Sequence, residues 1–329
     1  MAISSSKILL ILLFVPLLMV PQSFADDAQD AISYNKDLRS FEVYDSKNYM
    51  SGNWGGLRSR LNELGITPIV RYYTTILGNP VGGEKKGVQY AGLLNAYLKF
   101  DLEKLLSIKR TKFTVSGSWA SGRSLSNKDI GNFFTASEVF SCRTVRLYQL
   151  FIESELVENA LRVAVGRMGV ADEFSRSDVF YNYVNTAIDG KPISLSINDE
   201  GFFSMPTTSW AARIHANPIE EFYIKAGVYN SNPAVGQSSN NGLDFSFRKG
   251  VIIISEIGYL HNQNKSRGGL PGRYTFGAFY DTRKFEELSD ESKKQKGSYS
   301  LYWILEQMIY RETKEDPGAN SLGFAYFIA

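Results

Sequence analysis

The chain has 329 residues, of which 36 are Lys or Arg and 34 are Asp or Glu, for a formal net charge of +2 with two histidines and a single cysteine. So even a balance argues against a nucleic-acid partner and shows no polybasic patch for a membrane surface. One cysteine, Cys142, excludes an internal disulfide framework, and with two histidines far from it there is no spacing for metal ligands or for any other cofactor.

In chain order, residues 1–25 have a short start carrying Lys7, an apolar run from Ile8 to Val20 broken by Pro16, and the small-residue site Ser23-Phe24-Ala25. This is the three-part form of a secretory signal peptide, with cleavage expected before Asp26. Residues 26–50 are polar, lack a period and read as an N-terminal extension without chemistry. No cysteine follows the cleavage site, so a lipid anchor is not indicated.

The stretch from Ser51 to Gly83 sets the pattern for the remainder. A Gly-rich entry, Asn53-Trp54-Gly55-Gly56, leads into a short helix expected over 57–64 and stopped at Gly65. From Ile66 to Leu77 the period becomes two, with Ile66, Val70, Tyr72 and Ile76 on one phase and Arg71 on the other, and Gly78-Asn79-Pro80 ends the strand. The same alternation predicts strands over 90–101, 112–119, 160–169, 210–217, 222–229, 251–262, 273–283 and 298–311, with one more beginning at Ser321. Residues 143–156 are apolar and aromatic but mix their faces, which a β-bulge would explain. Residues 121–141, 170–207 and 230–241 are loops by composition, and a charged connection is expected between Arg283 and Ser298.

Alternation alone suits a soluble sandwich and a membrane barrel equally. Strands of roughly 9 to 14 residues, Tyr and Trp near strand ends, and connections that alternate between short turns and long polar loops favour the barrel. No stretch after the leader reaches the ~20 apolar residues of a spanning helix, so a membrane role must use strands. The expected fold is therefore all-β, a transmembrane antiparallel β-barrel.

Ser51-Gly52-Asn53-Trp54-Gly55-Gly56-Leu57-Arg58, Leu77-Gly78-Asn79-Pro80, Tyr90-Ala91-Gly92, Arg146-Leu147-Tyr148, Val165-Gly166-Arg167, Ala171-Asp172-Glu173-Phe174, Leu270-Pro271-Gly272 and Glu306-Gln307-Met308 follow one another in this order. That order resembles the carbohydrate-selective porins (OprB type) of Gram-negative outer membranes across nearly the whole mature chain. The resemblance implies a 16-stranded porin for monosaccharides and small polar solutes, exported to the outer membrane, with sugars and lipid as partners and a homo-oligomer as an expected assembly. Residues 51–329 are then the porin domain. The pattern counts about eleven strands, so the expectation is a C-terminally truncated barrel short of its closing strands, by roughly 100 residues at 9 to 11 per strand plus turns.

A sugar-selective pore needs fixed donors and acceptors with aromatic surface at a constriction. The alternation nominates Arg71, Lys99, Arg162, Arg213, Glu256, Asp281 and Glu306 as lining charges and Tyr97 and Tyr148 as platforms. Arg123, Arg143, Arg167, Asp172 and Glu173 stand at the edges of the two long loops, one of which is expected to fold inward. An enzyme reading lacks support, since there is no Gly-x-Ser-x-Gly elbow and neither His215 nor His261 has an orienting constellation. A secreted or outer-membrane binding or adhesion protein without conduction is the remaining alternative, and it would place function in the long loops.

Overall fold

The computed structural model describes residues 49–140, 142–177, 179–263, 269–287, 290–312 and 321–329. The predicted leader and nearly all of the polar extension lie outside these residues. The entry helix α1 (Leu57–Glu63) forms as expected, and Gly65, at φ +90, makes the turn after it that glycine permits at little cost. The Arg58 guanidinium is sandwiched against the Tyr49 and Trp54 rings and donates to the Gly52 carbonyl, so the Gly-rich entry is a folded knot.

Eleven strands follow: β1 (Ile66–Asn79), β2 (Gly87–Asp101), β3 (Thr111–Gly122), β4 (Thr144–Val157), β5 (Leu161–Met168), β6 (Ser209–Ile219), β7 (Phe222–Asn230), β8 (Val251–His261), β9 (Gly272–Glu287), β10 (Asp290–Arg311) and β11 (Ser321–Ile328). Each pairs antiparallel with its neighbour in sequence, giving one sheet ordered β1 to β11, and among the described residues no pairing joins β1 to β11. Connections at one end are short, such as 158–160 and 220–221, or capped by a small helix, α2 (Leu102–Leu106), whose Asp101 side chain accepts from the Glu103 and Lys104 amides. At the other end residues 123–143, 169–208 and 231–250 form long loops.

The mixed faces of β4 have the anticipated cause. Val115 pairs with Leu150 but Gly117 pairs with Leu147, a register shift that places Tyr148 and Gln149 against Ser116. The bulge moves the inward phase from Arg146 and Tyr148 to Phe151 and Glu153. The expected charged connection after Arg283 is instead strand. β9 and β10 continue to Glu287 and from Asp290, with Lys296 opposite Lys284 and Lys294 opposite Glu286 and two register shifts along the way. Charged side chains obscured this to a hydrophobic-period reading, because this part of the hairpin is held by backbone ladder bonds and surface ion pairs such as Lys294–Glu286 and Lys293–Asp290 rather than by an apolar face.

One phase of every strand carries exposed apolar side chains, including Val70, Tyr72, Trp119, Val165, Ile224, Ile257, Phe276 and Trp303. The opposite phase holds the polar residues, but with a feature the period missed: Ile252, Ile254, Phe279, Tyr302 and Ile304 point inward too and are almost completely buried. They are covered by the loop between β5 and β6, whose Val170, Phe174, Phe180, Leu195 and Phe202 join them in a single core. Full burial of such a side chain contributes about 1.5–3 kcal/mol, so this packing helps to hold the loop inside.

Candidate functional site

The loop of residues 169–208 crosses the inner face, and the wall grips it at consecutive positions. Lys225 Nζ donates to the Glu173 carbonyl at 2.9 Å, the Ser175 amide donates to Glu256 Oε2 at 2.8 Å, Arg273 Nη2 donates to the Arg176 carbonyl at 2.6 Å, and Ser177 Oγ donates to Glu306 Oε1 at 2.5 Å. Lys225, Glu256, Arg273 and Glu306 come from four adjacent strands, β7 to β10, so one rung of the wall reads one short run of loop backbone. Each partner is itself paired: Lys225 Nζ lies 3.1 Å from Glu256 Oε1, Arg273 Nε lies 2.7 Å from Glu306 Oε2, and Tyr302 donates to Glu256 at 2.7 Å.

Glu173 supplies the opposite arrangement, a loop carboxylate inserted among wall cations. Arg213 Nη2 is 3.3 Å from it and also 2.5 Å from Glu153, His215 Nδ1 is 3.3 Å away, and Lys225 is 3.7 Å away. Burial by itself would raise the Glu173 pKa, but Arg213, Lys225 and His215 together hold it well below the ordinary carboxylate range. Arg162 completes the cluster, 2.8 Å from His215 Nδ1. Asp172, next to Glu173, accepts from Tyr148 at 2.5 Å, Gln149 at 3.0 Å and the Gly169 amide at 3.0 Å, and burial pushes its carboxyl up against the effect of those bonds.

The nominated residues thus separate into four groups. Arg162, Arg213, Glu256 and Glu306, with Tyr148 and Asp172, are brought together but are spent on the wall–loop junction. Asp281 is fully buried in a second junction, where Ser231 Oγ donates to it at 3.0 Å and Arg283 Nε at 2.9 Å, while Arg283 also reaches Asp199 of the loop. Arg71, Tyr97 and Lys99 lie on the inner phase of β1 and β2; Arg71 is exposed, and Tyr97 shares its surroundings with Arg71 and with Asp172 and Arg176 of the loop.

Two nominations stand apart from the junction. Arg167 sits on the outer phase with Val163 and Val165, opposite Leu150 and Trp210, donating to the Thr208 carbonyl at 2.9 Å and the Asp244 carbonyl at 2.5 Å over the Phe245 ring. Arg123 is an exposed residue at the loop base whose amide donates to the Tyr90 carbonyl. Three junction residues, Lys225, His215 and Arg273, were not nominated, although each lies on the polar phase of its strand and carries a charge or a titratable ring. Their signal was present, but alternation does not say which polar wall residues a distant loop will touch.

The other long loop leans on the first. Thr186 donates its amide to the Thr135 carbonyl at 3.1 Å and the Glu138 amide donates to the Val184 carbonyl at 3.0 Å, a two-rung ladder between residues 123–143 and 169–208. Burial and Asp189 push the Glu138 carboxyl up to about 7, and burial pushes Asp189 up to about 6 despite Lys191. A raised acid pKa means that docking takes up protons, so the contact is strongest below about pH 4, where the carboxyls are neutral whether docked or free. It weakens as pH rises through about 6 to about 7. Hydrogen exchange of the Glu138 and Thr186 amides should therefore show higher protection at pH 5 than at pH 8 once intrinsic exchange is corrected for; equal protection would contradict this.

A sheet with an apolar outer face, a charged inner face and a loop folded across its interior is the wall architecture of a porin. Residues 85–328 match the family described as carbohydrate-selective porin, OprB family, and the chain belongs to it. It is similar to Porin B of Pseudomonas aeruginosa, with 27% identity over 301 residues, covering 85% of this chain and 64% of that protein, so it spans less than two thirds of its relative's length. Its fold is like that of the high pH structure of Pseudomonas putida OprB, with a TM-score of 0.74 and 24% identity over 85% of this chain and 74% of that one.

Proposed function

We propose that this chain forms the wall of a passive channel in the outer membrane of a Gram-negative cell, through which monosaccharides and related small polar solutes diffuse. The observation that supports it most is the loop of residues 169–208, pinned across the inner face by Glu173, Glu256 and Glu306, with Arg71, Tyr97 and Lys99 on the inner phase of the wall. Arg71 beside the Tyr97 ring offers a donor and an apolar face to a neutral, hydroxyl-rich solute, and Asp172 in the same surroundings offsets the positive charge. Outer-membrane lipid is the phase that the exposed apolar phase of the strands would meet, and other copies of the chain are its proposed neighbours. Export by residues 1–25 completes the localisation.

The test is glucose-driven swelling of liposomes that contain the purified mature chain. Swelling that is faster than in empty liposomes, and slower with Arg71→Ala, agrees with the reading; impermeable liposomes holding folded protein overturn it and favour an adhesion role. The lipid-facing assignment has its own measurement. Ile257 is exposed near the middle of β8, and Ile257→Lys should cost about 2–4 kcal/mol if that site is at the bilayer midplane. Reversible unfolding in lipid vesicles reads this, and a neutral effect would argue against a lipid-facing wall.

A further inference from the structure

At the long-loop end of the sheet, a cavity of about 440 Å³ opens between the start of β4, residues 196–207 and residues 236–238. We propose that this cavity is an entry subsite for a single neutral saccharide ring, an inference that rests on the channel reading and extends it to a place where the solute pauses. Its lining carries one cation and one anion, Arg146 and Glu200, with the rings of Phe202 and Phe203 and the hydroxyl of Ser204. Such a balance suits an uncharged polyol: a lone arginine would select anions, whereas a paired set offers donor, acceptor and a flat apolar surface.

The site is built. Arg146 is only 4% exposed and is held by Thr207 Oγ1 at 3.1 Å and by the Gly236 and Gln237 carbonyls at 3.3–3.4 Å, so its guanidinium is fixed before any solute arrives. Its Nε is buried and has no hydrogen-bond partner among the described residues, so the guanidinium keeps one donor unmet beside the cavity. Gly236 keeps the space open. A Cβ there would stand 3.2 Å from the Phe203 ring and 3.3 Å from the Thr207 methyl, and a larger side chain would fill the cavity. Glu200 is exposed at the mouth while both phenylalanines are buried at its base, the gradient expected where a hydrated solute sheds water stepwise.

Cys142, the chain's only cysteine, is half-buried in the same lining and serves as reporter. In the detergent-solubilised chain, glucose at about ten times its dissociation constant should slow alkylation of Cys142 by N-ethylmaleimide about tenfold. Glu200→Gln and Gly236→Val should each abolish that protection while circular dichroism stays unchanged. Saturation-transfer NMR on the glucose protons gives the same readout without the thiol, with a signal that Gly236→Val removes. An alkylation rate and NMR signal unaffected by glucose, in protein that still makes liposomes glucose-permeable, overturns the subsite and leaves the channel reading intact. Stronger protection by gluconate than by glucose overturns the neutral-ligand assignment. Protection by glucose in protein that leaves liposomes impermeable upholds the subsite and removes the channel.

Discussion

Replacing Glu173 with alanine is expected to release the constriction loop and destabilise the chain by about 3–5 kcal/mol, the range for breaking a buried ion pair from one side. The reason is what remains. Arg213 and Lys225 stay buried with one fewer counter-charge, and His215 loses the carboxylate 3.3 Å from its Nδ1. Glu153 and Glu256 still balance Arg213 and Lys225 in part, so the wall should survive while the loop loses its charged plug. Glu173→Gln should behave nearly as badly, because it preserves shape and removes charge; a harmless Gln would mean that packing, not the ion cluster, places the loop. Single-channel conductance in planar bilayers reads the loop, and denaturant unfolding reads the stability.

The pH dependence of this junction has a definite sign. The Glu173 carboxyl is held well below its usual range, so the folded form releases the proton more readily than the unfolded one. Its contribution is fully present above the ordinary glutamate pKa of about 4.3 and is lost only as pH falls through the lower folded value. Conductance should therefore be insensitive to this group between neutrality and mild acid. The contact between Glu138 and Asp189 titrates in that window instead, so the two junctions can be told apart by pH alone.

Glu306→Ala is the second large effect, again about 3–5 kcal/mol, since it leaves Arg273, 2% exposed, without the carboxylate 2.7 Å from its Nε. The double replacement Arg273→Met with Glu306→Met should recover most of that loss, because removing a whole buried pair is close to neutral when the volume is kept. Stability and loop placement then come apart. The double variant also lacks the acceptor for Ser177 and the donor to the Arg176 carbonyl, so it should be stable yet more conductive than the parent. A thermodynamic cycle with near-additive single effects would show that the two side chains act independently.

Much of the fold was legible because a strand in a two-environment wall must alternate. Val251–His261 shows Ile253 and Ile257 outward and Glu256 inward, as its period requires, and the other strands follow the same rule outside β4 and the charged end of the β9–β10 hairpin, which is why the strand count of eleven agrees with the sheet. The bulge in β4 was legible as a fault in that rhythm. Less visible were Ile252 and Ile254: apolar on the polar phase, they make sense only beneath Phe174 and Phe202 of the loop, more than forty residues away in sequence. The site was legible as a set of charges and not as a circuit. Nothing in the spacing of Glu256 or Glu306 distinguishes a residue that meets solute from one that accepts from Ser175 or Ser177.

The sequence by itself determined the all-β class, the number and phase of the strands, the side on which the long loops lie, and the family to which the chain belongs, because each of these depends on local period, turn residues or short motifs in order. Only the tertiary structure decided which polar residues are buried pins, that Arg167 is buried against the Thr208 and Asp244 carbonyls, and that Arg146 and Glu200 share a cavity. Those facts depend on loops returning to strands far away in the chain, and the free energy of such contacts is set by partners that no local pattern encodes.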